Sequence, residues 1–231
     1  MIQNYDDFCH ALLAAGFSIA GSNNEGVYSL LNFGWSDPQP DTLVRWHTGD
    51  PDHDPWEWRI RVLEKRDDIA YSKLFFRKAG YITREWYPYF LAARRGGSSF
   101  ADAYADGIIS HSARRIYAVL QDGFPVPLHA LKTLAGFSKE DKSQFDRALT
   151  ELQMRLFITM CGQQQKVSQY GEEYGWSSTV FCTTEHFWDS EVFEKAAVIT
   201  PKQAEEAITK QIFKLNPSAD AKKIKKFVYG K

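Results

Sequence analysis

Between residues 111 and 185 the apolar positions change period, from helical spacing to alternation. His111 to Gln121 (HSARRIYAVLQ) predicts a short amphipathic helix with Ile116, Val119 and Leu120 on its apolar side. Asp122–Gly123–Phe124–Pro125 breaks it. Pro127 to Ala135 predicts a second helix, with Pro127 in its first turn and Gly136 past its end. Ser138 can cap a third, with Asp141 three residues on as an imperfect capping box. That helix carries Phe145, Ala148, Leu149 and Leu152 at helical spacing. Arg155 to Cys161 then turns strand-like, a Gln/Gly/Tyr-rich ribbon follows, and Ser178 to Thr183 offers the return strand. Three short helices followed by a hairpin are the order of a winged helix-turn-helix, which can place one helix in a DNA groove. The same order also suits a winged helix that only mediates dimerisation or protein contacts, so a homodimer is compatible with it.

The flanks predict further elements. Asn4 to Ala15 reads as a helix closed by Gly16. Val27 to Phe33 and Leu43 to His47 are isolated strand-like stretches in a segment rich in Gly, Asn, Asp and Pro. Residues 54–64 carry two patterns: a helix start at Asp54–Pro55 with Glu57 close behind, and an alternation of Trp56, Trp58, Ile60 and Val62 with polar residues. The start signal favours the helix. Ile69 to Arg77 and Tyr81 to Thr83 predict a strand pair around Lys78–Ala79–Gly80, and a helix from Arg84 to Arg95 ends at Gly96–Gly97. Two helices close the sequence, Pro201 to Leu215 and Ala219 to Val228, with Ser218 able to cap the second. The predicted class is α+β: an N-terminal α+β portion (1–107), a winged helix-turn-helix core (108–190) and a C-terminal helical extension (191–231).

Net charge is −1 over 231 residues, but it is segregated. Residues 1–55 are net −7, 56–95 net +5, 96–200 net −4 and 201–231 net +5. A local basic field can meet a polyanion whatever the total charge. The basic residues expected at a nucleic-acid surface are Arg59, Arg61, Lys73, Arg77, Lys78 and Arg84 from the first basic block, with Lys139, Lys142, Gln144 and Arg147 on the third helix. Acids Glu140, Asp141, Asp146 and Glu151 dilute that helix face. The first block also interleaves aromatics with its cations, which suits base stacking or, equally, an aromatic core edged by arginines. Lys222, Lys223, Lys225 and Lys226 read as a solvated helix face, with phosphate contact as the sharper alternative.

The runs HTGDPDHDPWEWRIRV and AYSKLFFRKAGYITREWYPYFLAARR, then the helical stretch ending in TELQMRLFITM, resemble the bacterial AlkZ-related proteins. The resemblance extends from about His47 to LNPSADAKKIKKF, and these proteins are regarded as distant relatives of the AlkZ DNA glycosylases. It implies winged helices and DNA as partner. It does not carry catalysis: the glycosylases use a Gln–apolar–Gln motif, and here Gln163 and Gln165 flank polar Gln164 in a ribbon.

Other chemistries lack support. Phosphate-binding glycine loops and a GxSxG elbow are absent from the sequence. Asp50, Asp52 and Asp54 alternate, but Pro55 stands where a calcium loop needs glycine and Arg61 where it needs a bidentate glutamate, so no metal is expected. No cofactor is expected either. Cys9, Cys161 and Cys182 read as reduced thiols of a cytoplasmic protein, and no stretch is long and apolar enough to span a membrane. The expectation is a DNA-binding winged-helix protein, a regulator or repair accessory. The alternatives are a DNA glycosylase, for which Glu57 and Glu85 beside Trp56, Trp58 and Trp86 are weak catalytic candidates, and a protein-contact scaffold.

Overall fold

The structure is a computed structural model describing all residues except 35, 37, 38, 168–171 and 231, with backbone alone at 167, 173 and 176. The part of the expected Gln/Gly/Tyr-rich ribbon at 168–171 therefore lies outside the described residues. The class is α+β. Contacts divide the chain into two compact units, residues 1–97 with 191–231, and residues 98–190. Three consecutive segments are expected from the sequence; instead the C-terminal helices belong to the same unit as the N-terminal portion, because their apolar stripes complete its core.

The first unit begins with helix α1 (Tyr5–Ala15), capped by Asn4 and closed by Gly16 at φ 90°. Strand β1 (Phe17–Ile19) follows, then a long irregular segment, then helix α2 (Pro55–Lys65). The expected strands at 27–33 and 43–47 are not formed. Their amides are drawn to side chains instead: Val27 N donates to Asn23 Oδ1 at 3.0 Å, Leu30 N to Ser18 Oγ at 2.8 Å and Val44 N to Thr42 Oγ1 at 3.1 Å.

Asp54 organises the end of this segment. It is fully buried. Oδ1 accepts from His47 N at 3.0 Å and Trp56 N at 2.8 Å, and Oδ2 from Thr48 N at 2.7 Å and Gly49 N at 2.9 Å. One carboxylate thus caps α2 and holds the preceding loop, keeping His47 in a left-handed conformation at φ 61°.

Strands β2 (Ile69–Phe75) and β3 (Lys78–Thr83) form an antiparallel hairpin, and β1 pairs with the far side of β3. The expected turn at Lys78–Ala79–Gly80 falls two residues earlier, at Phe76 (φ 51°) and Arg77 (φ 62°), two consecutive left-handed residues as a tight hairpin requires. Gly80 is needed for a close approach: a Cβ there would lie 2.5 Å from Phe75 and 2.8 Å from the Ser18 carbonyl. Helix α3 (Tyr87–Arg95) starts three residues later than expected, because Thr83–Trp86 forms a turn and Pro88 sits in the first helical turn.

The second unit opens with helix α4 (Phe100–Ala105), unforeseen although Ser99 and Asp102 form a capping box. Then come helix α5 (His111–Leu120), the two-residue strand β4 (Val126–Pro127), helix α6 (Leu128–Leu134), helix α7 (Lys142–Met154) and the strands β5 (Ile158–Val167) and β6 (Glu173–Thr183). This helix–strand–helix–helix–hairpin order is that of a winged helix, with β6 paired to both β5 and β4. Ser138 N and Oγ both donate to Asp141 Oδ2, at 2.8 and 2.7 Å, which closes a turn instead of forming the expected capping box, and α7 starts at Lys142 rather than directly after Ser138. Ile116, Leu120, Leu131, Phe145, Leu149, Leu152 and Phe181 share one buried cluster. Short helix α8 (Thr184–Phe187) ends the unit, and helix α9 (Ser190–Ala197) leads out of it.

Helices α10 (Pro201–Leu215) and α11 (Ala221–Tyr229) return to the first unit. Asp220 caps α11, in place of the expected Ser218, through a bond from Lys222 N at 2.9 Å. Phe227 is fully buried and lies flat on Phe75, centroids 3.9 Å apart at 2°. Arg94 of α3 ties the assembly: its guanidinium donates to the carbonyls of Leu74, Phe227 and Val228 at 2.8–2.9 Å. Burial pulls this guanidinium below its ordinary range, and the carbonyls satisfy its charge. Among the described residues no helix is long and apolar enough to cross a membrane.

Candidate nucleic-acid interface

Helix α7 rotates its residues by about 100° each, so its four faces diverge. Phe145, Ala148, Leu149 and Leu152 face the core. Gln144 turns to α5, where its amide donates to Ser112 Oγ at 2.7 Å, and Glu151 accepts from Ser110 N and Oγ on the same side. Arg147 stays on the exposed side, its Nε bonded to Ser143 O at 3.2 Å. Lys142 and Asp146 turn the other way, into a groove.

That groove lies between α6, α7 and the β5–β6 hairpin, with a volume of about 450 Å³, within the roughly 300–1,000 Å³ of small-molecule clefts. Lys132 of α6, Lys142 of α7 and Lys166 of β5 line it, with His129, Ser177, Ser178 and Thr179. Three lysines face one carboxylate, Asp146. Its walls are tied: His129 N donates to Ser178 Oγ at 3.3 Å, and Val126 and Pro127 pair with Phe181 and Val180. Of the four expected residues near the third helix, the groove therefore takes Lys142; Lys139 is exposed in the turn before α7, and Gln144 and Arg147 face elsewhere. Lys132, Lys166 and His129 are absent from the sequence reading. Nothing local marks them, since their convergence depends on β6 pairing beside α6.

The first basic block behaves differently. Arg61 is held by Asp52 at 2.7 Å and lies over the Tyr5 ring, Lys78 is held by Glu25 at 2.7 Å, and Arg84 by Glu191 at 2.7 Å. Arg59 stacks on Trp56 at 3.7 Å. Lys73 is half-buried on β2 and Arg77 exposed in the hairpin turn. The two basic blocks do meet, but on an acid: Lys78 and Lys223 both reach Glu25. These lysines, Lys78 foremost, hold the Glu25 carboxyl below its usual range. Most aromatics of the block are core, including Trp58, Tyr71, Phe75, Tyr81, Tyr87 and Phe90.

The two glutamates sit on different elements, Glu57 on α2 and Glu85 in the turn before α3. Glu57 is half-buried in the first turn of α2. Glu85 is exposed and lines a cleft of about 300 Å³ with Asp68, Thr83, Arg84, Glu191 and Lys195, whose described lining holds no tryptophan. Among the described residues, no group of three or more His, Cys, Asp or Glu could hold a metal ion.

The family model described as AlkZ related matches residues 2–229. The chain belongs to the AlkZ-related family. This AlkZ-related chain is also similar to a solved structure, the Streptomyces sahachiroi DNA glycosylase AlkZ, at 14% identity and a TM-score of 0.34. The match covers 76% of this chain and 50% of that one, so the AlkZ-related chain spans half the length of that relative. No curated protein matches.

Proposed function

We propose that the winged-helix unit binds DNA, with the groove between α6, α7 and the β5–β6 hairpin as its phosphate-contacting surface. The observation that carries this reading is the convergence of Lys132, Lys142 and Lys166 from three different elements. Lysine ammonium groups neutralise phosphates without reading sequence, and the hydroxyls of Ser177, Ser178 and Thr179 can donate to phosphate oxygens between them. Membership of a family named for AlkZ, a name borne by a DNA glycosylase, agrees with DNA as the partner. The role is that of a DNA-binding regulator or repair accessory; the groove supplies contacts rather than a recognisable reaction centre.

The test is anisotropy of a fluorescein-labelled duplex titrated with the protein at several salt concentrations. Three phosphate contacts give a slope of log affinity on log salt near −2.7, from about −0.9 per contact. Replacing Lys132, Lys142 and Lys166 by alanine flattens that slope, while Lys225→Ala on α11 leaves it unchanged. Absence of binding at low salt, or an unchanged slope in the triple variant, overturns the reading. In the first case, a protein-contact role is what remains.

A further inference from the structure

The family-matched loop HTGDPDHDPW builds a feature that the DNA reading of the groove does not use. A run of rings crosses the surface of the first unit. Phe33 and Trp46 lie 6.2 Å apart, Trp46 and His47 6.4 Å, and His47 and Trp56 4.9 Å. Phe33 is buried, Trp46 half-buried and His47 exposed, and Trp56 is 43% exposed, so the run climbs from core to solvent. Arg59, one helical turn beyond Trp56, lies over its ring and brings a positive charge to the open end.

Two observations separate this track from ordinary packing. Trp58, two residues from Trp56 on the same helix, is fully buried against Tyr5 and Phe8, so Trp58 and not Trp56 is the tryptophan that this helix gives to the core. His47 is held at positive φ by a bond from its amide to buried Asp54, and that geometry sets its ring against Trp56.

We infer that the His47–Trp56–Arg59 track takes an unpaired base of a nucleic-acid strand, the base stacking on the part of the Trp56 ring that Arg59 leaves open while the Arg59 guanidinium attracts the adjoining phosphate. Every base has a π-face, so this contact is tolerant of sequence, and the guanidinium supplies the charge complementarity that a neutral aromatic ligand does not need. The inference rests on the DNA reading, because it assumes a nucleic-acid partner, but it has its own readout.

The experiment uses the full chain and a single-stranded oligonucleotide carrying one 2-aminopurine. Stacking on an indole quenches 2-aminopurine emission. The expected result is quenching on binding that Trp56→Leu abolishes, with affinity for the oligonucleotide falling about tenfold, as the loss of one stacked base gives. His47→Ala reduces the quench, and Trp56→Phe, which keeps a ring, restores part of it. Unchanged far-ultraviolet circular dichroism shows that the variants fold. Duplex anisotropy is measured on the same proteins. Quenching that persists in Trp56→Leu, or no quenching with the unaltered chain, overturns the track; loss of salt-dependent duplex binding overturns the groove instead.

Discussion

Replacing Asp54 by alanine removes one carboxylate and four hydrogen bonds from a fully buried position. The bond from Trp56 N is a helix cap, worth about 1 kcal/mol. The other three come from the amides of His47, Thr48 and Gly49, whose residues are exposed, so water can take over part of each bond. At about 1 kcal/mol each after that exchange, the total destabilisation is about 4 kcal/mol. Asp54→Asn keeps one acceptor oxygen, enough for the cap and His47 N but not for Thr48 N and Gly49 N together, and should cost about 2 kcal/mol. The measurement is urea unfolding followed by tryptophan emission, with the midpoint shift read at constant slope. Amide hydrogen exchange at residues 47–49 should accelerate in both variants, more in the alanine. A stability change below about 1 kcal/mol, with unchanged exchange, refutes the claim that this carboxylate holds the loop.

Four further outcomes are expected. Arg94→Met keeps side-chain bulk but leaves the carbonyls of Leu74, Phe227 and Val228 without their charged donor, so thermal denaturation should show a loss of about 3 kcal/mol; an unchanged midpoint would contradict the clamp. Gly80→Ala forces a Cβ against Phe75, which is already flat on Phe227, and should cost about 2 kcal/mol in the same assay. Glu25 has its folded pKa lowered from 4.5, so its contribution is present above that unfolded value and lost as pH falls through the lower folded one. Glu25→Gln should therefore flatten the acid limb of a melting-temperature profile between roughly pH 3 and 6, modestly because the group is partly exposed; parallel profiles would refute it. The hydrogen bond from Cys182 holds the half-exposed Cys161 thiol below its ordinary value, so Cys161 should react first with a disulfide reagent and Cys161→Ser should remove that fast phase, Cys9 and Cys182 being buried.

Local signals in the sequence located several helices, such as α1, α2 and α10, though not the short α4 despite its Ser99–Asp102 box. Asp54–Pro55 decided correctly for helix α2 over the alternation of Trp56, Trp58, Ile60 and Val62, because a cap and a first-turn proline act at one point while alternation needs a sheet to bury it. The switch of period between residues 111 and 183 located the winged helix for a similar reason: the apolar stripes of α5 and α7 and the strand pair bury against one another within a short stretch of chain. Elements that depend on distant partners were not legible. Strand β1 is three residues long and exists because β3 accepts it, whereas 27–33 looks like a strand and has its amides taken by Asn23 and Ser18. The site follows the same rule. Lys142 was found from the helix that carries it, but Lys132 and Lys166 reach the groove through the pairing of β4 and β5 with β6, which no window around either residue contains. Charge blocks likewise showed which cations exist, not that Asp52, Glu25 and Glu191 would neutralise Arg61, Lys78 and Arg84.

The division of the chain has a consequence for synthesis. Residues 98–190 form a unit whose described buried cluster draws on that stretch alone, so the partners of that cluster are all present once the stretch has left the ribosome. Those of the first unit are not: Phe75 and Arg94 are made early, while Phe227 and the carbonyls that Arg94 needs arrive with α11, after the whole inserted unit. Until then the aromatic face of Phe17, Phe75 and Phe90 lacks its cover. The older half of the nascent chain is thus the one that waits, and the interval is when it is most exposed to chaperones and proteases.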